Sequence, residues 1–118
     1  MLNTIPDDNI FLACGSTDMR KSIDGLAAIV QLCFSLDPFS TRLFVFCNKN
    51  RDKLKILRWD YNGFWLYYRR LEKGKFQWPD DRKGATVSIN SHQLNWLLDG
   101  LSIEQKSAHK KVVAKAVI

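Results

Sequence analysis

Basic and aromatic side chains are mixed along residues 42–79, and this segment is the part of the sequence best suited to contact a ligand. It contains three of the four tryptophans and all three tyrosines. Residues 42–83 carry 12 Lys or Arg against 5 Asp or Glu, whereas the remaining residues have a net charge of −1, so the overall charge of +6 originates here. Cations neutralise phosphates and aromatic rings stack on bases, so this composition is typical of a nucleic-acid-binding surface.

A predicted β-hairpin positions these side chains. Asn62-Gly63 lies between two apolar runs, 54–61 and 64–71, and this dipeptide favours a two-residue turn because both of its residues accept a positive φ. Such a turn sets a register in which paired positions add to 125. One face then reads as a core face and carries Leu57, Trp59, Tyr61, Phe64, Leu66 and Tyr68. The other face carries Ile56, Arg58, Asp60, Trp65, Tyr67 and Arg69, in the expected pairs Arg58–Tyr67, Asp60–Trp65 and Ile56–Arg69.

Three interpretations of this second face remain open from the sequence. Its arginine stems can lie over the rings as ordinary cross-strand packing. It can be a protein interface, where Trp, Tyr and Arg are enriched. It can also bind nucleic acid, with bases stacked on the rings and phosphates on the cations. The candidate nucleic-acid-binding residues, including basic neighbours that contribute charge, are Arg51, Lys53, Lys55, Arg58, Trp65, Tyr67, Arg69 and Arg70.

Catalytic and metal-binding signatures are missing from the sequence. It has no phosphate-binding loop, no nucleophile elbow and no HExxH motif. Three cysteines and two histidines lack the spacing of a zinc site, so we expect no catalytic residue, no metal and no cofactor. We interpret Cys14, Cys33 and Cys47 as buried free thiols of a cytoplasmic protein. No apolar run is long enough to span a membrane, and no signal peptide is recognisable.

The order of elements predicts an α+β fold. A short strand at 10–14 is followed by an amphipathic helix of four to five turns, capped at Ser16 or Thr17 and running to Phe34. An apolar strand at 42–47, the hairpin, a strand at 76–79 and a short strand or extended link at 85–89 follow. Ser91 is the expected cap of a short helix that ends before Gly100. We therefore expect an antiparallel four- to five-stranded meander sheet with one long helix packed on a face and a short C-terminal helix closing an edge or end.

The chain length is that of a single domain. We assign residues 1–101 to one α+β domain. Residues 102–118 carry four lysines against one glutamate and read as a basic tail that is either helical or disordered.

Two long segments resemble a known family. ACGSTDMRKSIDGLAAIV at 13–30 and DPFSTRLFVFCNKNRDKLKILRWDYNGFWLYYRRLEKGKFQWP at 37–79 are similar to the second-open-reading-frame accessory protein, TnpB, of IS-66-type insertion sequences. The resemblance is to this accessory family and not to the RNA-guided nuclease of the same name. Ser22 departs from the glycine that family members often carry, and the resemblance does not extend past Gly100.

The resemblance implies a role in bacterial DNA transposition beside a separate DDE-type transposase, and it supplies no catalytic residue. Combined with the basic aromatic face, it favours a non-catalytic accessory protein that binds DNA at the element ends. The alternative is a protein–protein adaptor that docks on the transposase, or self-associates into an oligomer, without contacting DNA.

Overall fold

The computed structural model of the protein describes residues 9–79 and 85–104. It contains five strands and two helices in this part of the chain. The strands are β1 (Ile10–Ala13), β2 (Leu43–Cys47), β3 (Lys53–Asp60), β4 (Gly63–Arg70) and β5 (Thr86–Ile89). The helices are α1 (Ile23–Leu32) and α2 (Ser91–Leu98).

The five strands form one mixed sheet in the order β4-β3-β2-β1-β5. The α+β class is confirmed, but the expectation of an antiparallel sheet is wrong for one pair, because β1 and β2 run parallel. These two strands are joined through α1 as a β-α-β unit, which requires parallel neighbours. The meander is limited to β2, β3 and β4, and β5 returns to pair antiparallel with β1 at the far edge.

Helix α1 is shorter than the periodicity predicts, with ten residues, and Ser22 stands at its N-cap position without a side-chain capping bond. Asp18 does not enter the first helical turn. Its carboxylate accepts hydrogen bonds from the backbone N–H of Arg20 (2.9 Å) and from the Arg20 guanidinium (2.7 Å). The Arg20 contacts lower the pKa of Asp18 to about 2. This local side-chain turn delays the start of the helix to Ile23, because aspartate competes well for nearby backbone donors.

The hairpin turn lies one residue earlier than the sequence indicates. Tyr61 and Asn62 form it, with Tyr61 at a φ of 59°, and Asp60 pairs with Gly63. The paired positions therefore add to 123, which replaces the expected partners with Arg58–Trp65, Ile56–Tyr67 and Leu54–Arg69. Because the shift equals two residues, every side chain keeps its predicted face.

An aromatic cluster explains the observed register. The pairing places Trp59 opposite Phe64, with ring centroids 5.0 Å apart, and Phe39 packs on both rings at 5.1 and 5.3 Å. Cross-strand aromatic pairs of this kind stabilise a sheet beyond the area that they bury. The predicted core face is confirmed at Leu57, which is fully buried, but it fails at Tyr61, which is 90% exposed.

Both faces of the sheet are covered at their centre. Helix α1 packs with Phe44, Phe46 and Leu57 on one face. The opposite face buries Val45 and Ile56 beneath residues from α2 and beneath Phe76 and Trp78. The prediction of a strand at 76–79 is wrong, since this segment has no regular secondary structure and lies outside the sheet, where Trp78 anchors it by donating from Nε1 to the Ala13 carbonyl at 2.8 Å. Helix α2 therefore covers a face, where an edge or end was expected.

The second helix begins one residue earlier than predicted, at Ser91. Asn90, not Ser91, caps α2 and forms a reciprocal capping box with Gln93. The apolar stripe predicted for this helix is confirmed, since Leu94 and Leu97 are buried. In the described residues, neither helix is long and apolar enough to cross a membrane.

Two of the expected buried thiols are buried, Cys14 and Cys47, and burial raises the pKa of Cys47 to about 12. Cys33 is exposed at the end of α1, so its predicted burial is wrong. The loop at 80–84 and most of the basic tail, residues 105–118, lie outside the described part of the chain.

Candidate nucleic-acid interface

Four of the eight candidate residues share one face of the β3–β4 hairpin. We call this surface the Trp65 face and define it as Arg58, Trp65, Tyr67 and Arg69. Residues 65, 67 and 69 follow one another along β4 at two-residue intervals, which places successive side chains about 6.6 Å apart. Arg58 lies directly opposite Trp65 on β3. Strand β4 is the last strand of the sheet, so this row runs along its border.

The aromatic part of the Trp65 face is half open. Trp65 retains 53% of its exposure, whereas Tyr67 is half-buried and packs on the core beneath α2. Their rings are nearly parallel, at an interplanar angle of 6° and a centroid distance of 6.2 Å. Trp65 Nε1 donates to Asp60 Oδ2 at 3.1 Å, which fixes the indole orientation and leaves the ring exposed. An exposed, oriented ring of this kind offers a stacking surface for a base.

The two arginines of the face differ in their attachments. Arg69 Nε donates to the Leu98 carbonyl at 2.9 Å, so this side chain satisfies an orphan carbonyl at the C-terminus of α2. Its terminal nitrogens keep further donors, because a guanidinium has five N–H groups. Arg58 is half-buried and its side chain forms no hydrogen bond or ion pair with any other residue in 9–79 or 85–104. Arg58 is therefore the cation of this face that is most available to a phosphate.

Three other candidates lie on the opposite face of the hairpin, on the side of α1. Lys55 Nζ donates to the carbonyls of Met19 (2.7 Å) and Lys21 (3.0 Å) and so holds the turn before α1. Arg70 pairs with Glu72 at 2.7 Å, and this carboxylate raises the pKa of Arg70. Lys53 pairs across the strands with Arg70. The eight predicted residues thus do not form one continuous surface.

The eighth candidate, Arg51, belongs to the loop between β2 and β3. Its Nη1 donates to the Trp78 carbonyl at 2.5 Å, and its own carbonyl accepts from Phe76 at 2.7 Å. Asn48 stabilises the same loop by donating to Asp52 at 2.7 Å, which lowers the pKa of the Asp52 carboxyl. The loop holds the 76–79 segment against the sheet, and Arg51 has a structural role there.

An open cavity of about 590 Å³ borders the Trp65 face, and sequence reasoning missed it. It lies between the hairpin and the last turn of α2. Besides Tyr67 and Arg69, its lining includes Asn95, Leu98 and Asp99 from that turn. The amphipathic period of α2 predicts its buried stripe, but no local signal tells which strand the C-terminal turn of α2 will meet. Within the described residues no group of three or more His, Cys, Asp or Glu side chains converges as a metal site would require.

Comparisons with known proteins agree with the resemblance noted in the sequence. A model of the IS66 Orf2-like protein family matches residues 8–108, which extends the likeness past Gly100. Two uncharacterized proteins of Sinorhizobium fredii are similar to the chain. The protein y4hO is 37% identical over 86% of this chain and 87% of its own length. The protein y4jC is 34% identical over 78% of each chain. No solved structure matches the chain.

The family match covers most of the chain, and both relatives align over most of their own lengths. The chain therefore belongs to the IS66 Orf2-like family, whose members are accessory proteins of insertion sequences.

Proposed function

We propose that this accessory protein acts in transposition by binding DNA at the ends of its element, without catalysing a reaction itself. The Trp65 face carries the contact. Arg58 and the free nitrogens of Arg69 neutralise phosphates, and Trp65 stacks on a base. The bound protein then helps a DDE-type transposase of the same element to hold or order those ends.

The observation that carries this proposal is the pairing of Arg58 with Trp65 at the border of the sheet. Arg58 has no side-chain hydrogen bond within the described ranges, and the indole beside it is 53% exposed. A half-buried arginine that serves only the fold is normally bonded to a carbonyl or carboxylate, as Arg51 is here. An arginine without a side-chain hydrogen bond next to an exposed, oriented ring suits a ligand that has both phosphates and bases.

Binding of labelled element-end DNA, measured by fluorescence anisotropy over a salt series, tests the proposal. Counterion release gives a slope of about −0.9 in log affinity against log salt for each neutralised phosphate, so two contacts lower the affinity about tenfold between roughly 50 and 200 mM salt. We expect binding at low salt with a linear decrease of log affinity against log salt and a slope of about −2. Failure to bind element-end DNA even at 50 mM salt would refute the proposal.

A second function, that of a protein adaptor, is favoured by the position of β4. No strand in the described residues pairs with its outer edge. Trp65 and Tyr68 project from its opposite faces, each 53% exposed. Exposed edge strands pair readily with another chain. In this function the same border of the sheet docks on the transposase or on a second copy of the protein.

The oligomeric state and the DNA requirement of the complex separate the two functions. Co-purification of the chain with its transposase after nuclease treatment, together with no shift of element-end DNA by the chain alone, would establish the adaptor. Binding of the isolated chain to DNA, with unchanged sedimentation of the free protein, would establish the DNA-binding function.

A further inference from the structure

The cavity beside the Trp65 face has the size and the chemistry of a ligand site. Its volume of about 590 Å³ lies in the range of pockets that bind small molecules. The floor consists of the buried side chains of Leu54 and Ile56, and Leu98 lies on the side of α2. The half-buried ring of Tyr67 forms part of the wall. An apolar floor beside an aromatic ring suits a flat, weakly polar ligand.

The polar groups that line the cavity include acceptors on α2 and two cations on β4, Arg69 and Arg70. Asn95 and Asp99 are exposed, and neither side chain has a hydrogen-bond partner in the described ranges. A carboxylate oxygen and a carboxamide oxygen accept hydrogen bonds from exocyclic amino groups such as those of adenine and cytosine. Arg69 stands on the same rim, held by the bond from Nε to the Leu98 carbonyl at 2.9 Å. Its orientation is therefore set before a ligand arrives, and its terminal nitrogens suit a phosphate.

The cavity continues the row of side chains on β4. Trp65 and Tyr67 present nearly parallel rings, and Arg69 follows next on the same face. A strand of nucleotides that places one base on Trp65 would carry its next base toward Tyr67 and the cavity. A base that is paired in a duplex shows only its edges in the grooves, so it cannot enter.

We infer that the cavity receives one unpaired nucleobase of a single DNA strand, with Arg69 on the adjacent phosphate and Trp65 under the neighbouring base. This inference rests on the DNA-binding function proposed above and names its ligand as single-stranded DNA. Unpaired bases occur at frayed, nicked or cleaved DNA ends, so the protein would engage an element end whose strands are separated.

Parallel anisotropy titrations of the full-length protein test the inference. The probes are an adenine-containing single strand, the blunt duplex of the same sequence and the corresponding RNA strand. Base–aromatic stacking alone is worth about tenfold or more in affinity, so we expect the DNA single strand to bind at least about tenfold more tightly than the duplex. Equal binding of the strand and the duplex would overturn the inference while leaving the DNA-binding function intact. Tighter binding of the RNA strand would overturn the assignment to DNA.

Two variants of α2 locate the preference in the cavity. Asn95→Trp fills its mouth from an exposed helical position, whereas His92→Trp adds the same ring at an exposed position that does not line the cavity. We expect Asn95→Trp to abolish the preference for the single strand and His92→Trp to retain it. Tyr67→Leu keeps the apolar bulk without the ring and should also lose the preference.

A preference that survives both Asn95→Trp and Tyr67→Leu, in variants whose circular dichroism shows native folding, would refute the cavity as the site. If the wild-type chain binds none of the three probes, both the inference and the proposed function fail.

Discussion

Arg69 on β4 donates from Nε to the carbonyl of Leu98 at the C-terminus of α2, at a distance of 2.9 Å. This bond joins the last strand of the sheet to a helix 29 residues later in the chain. It gives one side chain two tasks, because the same guanidinium that completes the helix end also borders the open cavity. Arg58, two strand positions from the hairpin turn, has no such structural bond in the described residues.

The two arginines should therefore respond differently to truncation. Arg69→Ala leaves the Leu98 carbonyl without its cationic partner, and we expect the free energy of unfolding to fall by about 1 kcal/mol. Arg58→Ala should change stability by less than about 0.5 kcal/mol, as substitutions away from a structural contact usually do. Urea denaturation measures both. Equal destabilisation by the two changes would show that Arg58 is also a structural residue.

The hairpin register predicts a stabilising substitution at Tyr61. This residue has a φ of 59° in the turn and is 90% exposed, so its ring contributes little packing to offset the strain. Asparagine tolerates this conformation better, and we expect Tyr61→Asn to raise the free energy of unfolding by about 0.5 to 1 kcal/mol. In the register with Asn62-Gly63 at the turn, Tyr61 would lie in the strand and the same change would destabilise. The sign of the change in thermal midpoint decides between the registers.

Trp78 should be sensitive to removal of a single N–H group. Its indole Nε1 donates to the Ala13 carbonyl at 2.8 Å in a buried position and fixes the 76–79 segment on the sheet. Trp78→Phe leaves that carbonyl unsatisfied, and we expect a loss of about 1 to 3 kcal/mol, together with loss of some packing. Trp96→Phe is a matched control, since the half-buried Trp96 side chain forms no hydrogen bond with the described residues. Similar losses in the two variants would argue against the Trp78–Ala13 bond.

The thiols should react in two classes. Cys33 is exposed, whereas Cys14 and Cys47 are buried and burial raises the pKa of Cys47 to about 12. A thiol reagent at pH 8 should modify one cysteine per native chain and three in denaturant, because the thiolate is the reacting form.

The raised pKa of Cys47 also makes the stability of the fold depend on pH. Cys47 keeps its proton to a higher pH in the folded state than in the unfolded chain. Its contribution to the free energy of unfolding is therefore complete below about pH 9 and is lost as the pH rises toward 12.

Rapid native labelling of Cys47 would contradict its burial. Peptide mapping after brief exposure to the reagent identifies which residue carries the modification. Cys33→Ser provides the control, since it should remove nearly all of the native reaction and leave two thiols that react only after unfolding.

Most of the elements and the two faces of the hairpin could be read from the sequence, because alternation and turn residues act locally, but the strand predicted at 76–79 could not. The hairpin faces hold even though the register differs, since a shift of two residues returns each side chain to the same side. The register itself depends on Phe39 packing against Trp59 and Phe64, and a distant ring overrides the local Asn62-Gly63 preference. The start of α1 depends similarly on the Asp18–Arg20 turn.

The candidate site was less accessible to sequence reasoning. Charge alone makes Lys55 and Arg51 candidates, but in the structure both donate to backbone carbonyls of distant segments. No pattern in the neighbouring sequence indicates such bonds. Asn95 and Asp99 were missed for the same reason, because only the packing of α2 over the hairpin brings them beside Tyr67. Charge and aromatic content identified the right hairpin, and only the fold separated its two faces.

DNA binding by the Trp65 face is tested most directly by a pair of charge reversals on β3, Arg58→Glu and Lys53→Glu, assayed by binding to element-end DNA at roughly 50 mM salt. Both residues are half-buried, but Arg58 belongs to the Trp65 face and Lys53 to the opposite face. Our account predicts that Arg58→Glu weakens binding by at least about tenfold and lowers the salt slope by about one, with a much smaller effect of Lys53→Glu. Equal losses in the two variants, or no loss in Arg58→Glu, would contradict it.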